Sequence, residues 1–154
     1  MSAALKNALK TLLLTLSQFT DVSHPELQEA VVLADPRVLD RGFDHCIIIW
    51  SGPLDSGDAG GYTITHNTSI RFQAFVRFAD DASADAALQT FTDDIVELLD
   101  THPTLNGQPD ITLERLSADD PFYVRDTAQQ GPFFLMREFT LEISERVALS
   151  GGEY

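Results

Sequence analysis

The chain has 154 residues, enough to bury a core of ordinary size and few enough to fit one domain. Its 24 acidic and 10 basic residues give a formal net charge of −14, a surface that repels nucleic-acid phosphates and anionic membranes alike. The single cysteine excludes an internal disulfide, and no stretch approaches the ~20 apolar residues of a membrane-spanning helix.

In chain order, Leu5, Leu9, Leu12, Leu13 and Leu16 recur at helical spacing and predict an amphipathic helix over roughly residues 2–18. Its apolar block is broken by Thr15 and no small-residue cleavage site follows, so a signal peptide is not expected. A short apolar run at 30–33 is closed by "ADPR". The β-branched stretch "DHCIIIW" then reads as a buried strand. The segment "SGPLDSGDAGG" reads as a flexible acidic loop, and leads into a long strand over about 62–79.

At "DDASADAALQTFTDDIVELLD" the period changes to helical, with Leu88, Phe91, Ile95, Leu98 and Leu99 on one stripe. His102-Pro103 ends that helix, because the residue before proline avoids helical angles. A strand follows around Ile111 and Leu113, then a long connection, "SADDPFYVRDTAQQG", and the closing strand "PFFLMREFTLEISERV". The order α-β-β-β-α-β-β predicts an α+β class. A mostly antiparallel sheet of four to five strands would pack against two helices, in one domain over 1–148 with a flexible tail at 149–154.

Chemistry-bearing residues are sparse. His24, His45, His66 and His102 are too scattered for a zinc site with one cysteine. His45 and Cys46 adjoin, but neighbours on a strand point to opposite faces and cannot share a proton. The loop around Asp55 and Asp58 lacks the lysine of a phosphate cradle and the spacing of a calcium hand. The paired acids at 80–81, 93–94 and 119–120 read as caps and solvated surface. No catalytic, metal or cofactor residue is therefore expected.

The stretch "RFQAFVRF" at 71–78 divides into two rows. Phe72, Ala74, Val76 and Phe78 make an apolar core face, while Arg71, Gln73, Phe75 and Arg77 make a second face. If the closing strand is its neighbour, Glu138 and Glu142 pair with the arginines across the sheet. Phe75 is then exposed among charges, together with Met136 and Phe134, which reads as a subunit contact.

With these elements in place the chain resembles the tail terminator (tail completion) proteins of long-tailed bacteriophages. The resemblance covers roughly residues 2–148. It rests on the first helix, the hairpin ending in "SIRFQAFVRFADD", the long helix, the break "THPTLNG" and the closing hairpin through "GPFFLMREFTLEISER", with "SADDPFYVRDTAQQG" matching the family's variable second hairpin. It implies a structural virion protein, assembled in the host cytoplasm as a hexameric ring at the head-proximal end of the tail tube. There it stops tube growth and joins tail to head connector. Self, tube protein and connector proteins are the implied partners, DNA passes without specific binding, and no membrane is involved.

By location, the resemblance implies subunit or channel contacts along the strand 71–78, at Arg71, Gln73, Phe75 and Arg77, and the sheet face they would share with the closing strand adds Met136, Glu138 and Glu142. A partner-contacting loop falls at Leu54, Asp55, Asp58 and Tyr62. The other readings are a different head–tail joining or tail-tube component, a small-ligand-binding α+β domain using His45 or His66, and a factor that covers a partner's strand edge.

Overall fold

A computed structural model describes residues 3–60, 63–77, 81–105, 107–108, 110–125 and 133–148. The elements are α1 (Ala3–Leu13), β1 (Val31–Leu33), β2 (His45–Gly60), β3 (Thr63–Arg77), α2 (Asp81–Asp100), β4 (Ile111–Ala118), β5 (Phe122–Arg125) and β6 (Phe133–Ala148). The class is α+β, as expected, but the sheet has six strands rather than four to five. Their order is β1-β2-β3-β6-β4, with β5 also on β6, beyond β4. All pairs are antiparallel except β1 with β2.

α1 forms where leucine recurs at 5, 9, 12 and 13, all buried, but it is shorter than expected. The Thr15 hydroxyl donates to the Leu12 carbonyl at 2.6 Å, and the backbone tightens there to i, i+3 bonds. A hydroxyl that bonds its own backbone in this way competes with the helical ladder. α2 buries Ala84, Leu88, Phe91, Ile95 and Leu99 on one stripe. Beyond its end, the Thr101 hydroxyl lies 3.0 Å from the carbonyls of both Glu97 and Leu98 and shares its one proton between them, while the Thr101 N–H also donates to Glu97 at 3.1 Å.

Both helices lie on one face of the sheet. α1 packs against β1 and β2, and α2 against β3 and β6. Phe72 and Phe139 stack at 4.9 Å in the core, and Phe91 meets Phe19 edge-on at 5.9 Å. Gln18 Nε2 donates to Asp94 Oδ2 at 2.8 Å, tying the segment after α1 to α2.

Two expectations need correction. The acidic stretch 51–60 is not a loop: its backbone continues β2 to Gly60, which pairs with Thr63. Its glycines and Pro53 fit an outer strand that carries register shifts between Ser51 and Leu54 and between Ser56 and Ala59. The long connection before the last strand contains β5, whose Pro121 and Asp119-Asp120 break it from β4. The run at 30–33 runs parallel to β2, which requires a crossover, here a short 3₁₀ helix at Pro36–Arg41. Asp35 caps that helix by accepting from the Arg37 N–H, and Gly42 closes it at φ +86°. The expected tail at 149–154 lies outside the described residues.

Candidate assembly surface

The register fixes what the second face of the sheet holds. Cys46, Phe75, Met136 and Phe122 form one cross-strand row. Ile48, Gln73 and Glu138 form the next, and Trp50, Arg71, Thr140 and Ser117 the one after. Further out, Ser69 faces Glu142, which faces Arg115.

The first of these rows is buried at Cys46, Phe75 and Met136 and opens only at its β5 end, where Phe122 is 49% exposed. Phe75 is only 3% exposed, Phe134 3% and Met136 4%, so the expectation that they stand open among charges is overturned. The crossover supplies the reason: it brings Val38 and Phe43 into the same buried cluster, and Gly42 comes against the Arg77 guanidinium. Phe75 meets the Phe134 ring edge-on at 6.0 Å, and the Arg77 guanidinium sits 5.6 Å over that ring. Arg77 Nε is buried without a hydrogen bond, 3.9 Å from Asp44 Oδ1.

Nor do the arginines pair with Glu138 and Glu142. The strands are neighbours, but their register sets Arg71 opposite Thr140 and Arg77 opposite Phe134. Among the described residues no ion pair joins either arginine to either glutamate. Glu138 Oε2 instead accepts from Gln73 Nε2 at 3.2 Å, while Gln73 Oε1 accepts from Trp50 Nε1 at 3.1 Å. This side-chain relay across three strands was missed from sequence. Its one signal is a lone tryptophan at the end of an apolar run.

Apart from Phe122 on β5, the open part of this face begins beyond the relay, at Arg71, Ser69, Asn67 and Glu142, and continues along a three-stranded ribbon. There β3 lies between β2 and β6 out to Thr63 and Ala148. β1 covers β2 only at residues 47–49, so among the described residues the outer backbone edge of β2 is unpaired from Trp50 to Gly60. The side chains of Leu54, Asp55 and Asp58, and all of Tyr62, lie outside the described residues.

The remaining reactive groups are dispersed. His45 meets the Phe91 ring edge-on at 5.0 Å beneath α2. Burial lowers its pKa, against the opposing pull of Asp44. Cys46, on the other face, has its thiol pushed up to about 12, again by burial. His24 Nδ1 lies 3.1 Å from Glu26 Oε1, and His102 Nδ1 lies 2.8 Å from the Leu98 carbonyl. His66's side chain lies outside the described residues. Among the described residues no three metal-ligating side chains converge, and no helix is long and apolar enough to cross a membrane. Two shallow hollows of about 180 and 270 Å³ flank β4, one toward the end of α2 and one toward Asn67 and Glu142. Both are smaller than the ~300 Å³ at which small-molecule sites begin.

No protein-family model and no curated protein matches the chain at a significant level. Among solved structures, it is similar to a chain from the virion of a native gene transfer agent particle. The two are 21% identical over 96% of this chain and 99% of that one, with a TM-score of 0.34. A TM-score of that size does not establish a shared fold.

Proposed function

We propose that this chain is a structural virion protein, a tail terminator that closes into a hexameric ring on the head-proximal end of a phage tail tube. Such a ring stops tube growth and presents the surface on which the head connector docks. The observation that carries the reading is the ribbon: two 15–16-residue strands continue past the helix-covered body, and the outer one keeps an open backbone edge. An unpaired strand edge is a template for another chain, and Pro53 and the two register shifts restrict which chain can match it. The sequence resemblance adds the identity of the assembly.

In this role Arg71 and Glu142 contribute to subunit or channel contacts through the open part of the second face, and Gln73 and Glu138 border it from the relay with Trp50. Phe75, Arg77 and Met136 hold that face rigid from beneath the crossover. The residues of the ribbon tip, 54–62, meet the neighbouring protein. Six copies would carry about −84 formal charges, six times −14, a field that discourages passing DNA from adhering.

The test is to add the purified chain to polymerising tail-tube protein. Tubes arrested at one end by a ring are expected. Incorporation of the chain along the tube wall would make it a tube component instead, and tubes of unchanged length would refute the reading.

A further inference from the structure

The two helices of this protein carry opposite charge, and the fold sets them on opposite flanks of the sheet. The only lysines, Lys6 and Lys10, stand one turn apart on α1, which has no acidic residue. α2 has six acidic residues and no basic one. Asp94 is engaged internally by Gln18, whereas Asp85, Asp93, Glu97 and Asp100 are exposed. The ion pairs among the described residues are His24–Glu26, Arg37–Asp35, Arg41–Glu29 and Arg77–Asp44, so none draws on either helix.

α1 packs on the β1–β2 side of the sheet and α2 on the β3–β6 side, toward β4. Beside the acids, that second flank leaves apolar surface: Val96 is 36% exposed, and Leu113 and Leu116 are half-buried around the hollow below Asp100. A two-fold contact through either flank would bring like charges together. A head-to-tail contact brings opposite charges together, and repeated rotation closes it into a ring.

We infer that the basic flank of α1 on one copy docks against the acidic outer flank of α2 on the next copy. This inference rests on the ring reading and supplies its subunit contact. The attraction is between exposed charges and is screened by salt, so ring formation weakens as ionic strength rises.

Charge reversal tests it. K6E/K10E and, separately, D85K/D93K/E97K/D100K each change exposed or half-exposed positions outside the core. Each is expected to keep the wild-type circular dichroism spectrum and raise the concentration at half-assembly by about tenfold or more, the factor that corresponds to 1.4 kcal/mol. The combined variant K6E/K10E/D85K/D93K/E97K/D100K sets an acidic α1 against an α2 flank turned basic, and is expected to assemble again near the wild-type concentration. If the wild type forms rings and either single-helix variant does so at the same concentration, this contact is refuted while the ring stands. If the folded single-helix variants fail and the combined variant also fails, complementarity is refuted in the same way. A wild-type chain that never assembles overturns both readings.

Discussion

Replacing Phe75 by alanine separates a core residue from a contact residue more sharply than any other single change. Phe75 is 3% exposed and packs edge-on against Phe134, which is itself 3% exposed, beneath the crossover that carries Val38 and Phe43. Truncating a buried phenylalanine removes the transfer energy of its ring and leaves a cavity, together about 3–5 kcal/mol. Of this, the ring–ring geometry contributes about 0.5–1.5 kcal/mol. With a urea slope of about 1–3 kcal/mol per molar, the unfolding midpoint should fall by about 2 M. The assay is urea unfolding followed by Trp50 fluorescence, at a concentration where the chain is monomeric. Phe75→Leu retains most of the volume and should cost less than about 1.5 kcal/mol. A loss below about 1 kcal/mol for Phe75→Ala in the monomer would mean that the ring is not buried in the isolated chain, and the interface role would return to it.

Cys46, with its thiol pushed up to about 12 and its side chain fully buried, should not react with a thiol reagent at pH 8 until denaturant is added; rapid labelling of the native chain would contradict its placement. His45 has its folded pKa lowered, so below the unfolded value of about 6.5 the unfolded chain binds the extra proton and stability is lost as pH falls. His45→Phe should therefore flatten the decline in urea midpoint between pH 7 and 5, and an unchanged decline would assign it to the carboxylates alone. Gly42 sits at φ +86° with the Arg77 guanidinium 3.9 Å from where a Cβ would be, so Gly42→Ala should cost about 1 kcal/mol in the same unfolding assay.

How much of this was legible in the sequence follows from the range of each interaction. Leucine spacing in α1, the stripe Leu88–Phe91–Ile95 in α2 and the alternation of Phe72, Ala74 and Val76 are local patterns, and all three lie in the core; Phe78 lies outside the described residues. The condition that the closing strand neighbours β3 is met: the two pair over fifteen residues, with Ile70 opposite Leu141 and Phe72 opposite Phe139 in the core. Residues 51–60 did not read as a strand because glycine, proline and aspartate have weak strand propensity. Long antiparallel pairing with β3 overrides that preference. Phe75 was misread because period two assigns a side chain to a face without saying what else covers that face. The covering segment is the crossover at Pro36–Arg41, more than thirty positions away in the chain. The expected Arg–Glu pairs failed for a related reason: matching the apolar rows still leaves the offset of the polar rows open, and the realised register puts Glu138 opposite Gln73.

Ring closure is the central claim, and the mass of the chain in solution, combined with images of the particles, tests it most directly. Six copies of a 17.0 kDa chain give a closed species near 102 kDa, expected as a ring of uniform diameter that grows no further as concentration rises. A chain that stays at 17.0 kDa at every concentration and salt, or one that polymerises into open filaments, would contradict it.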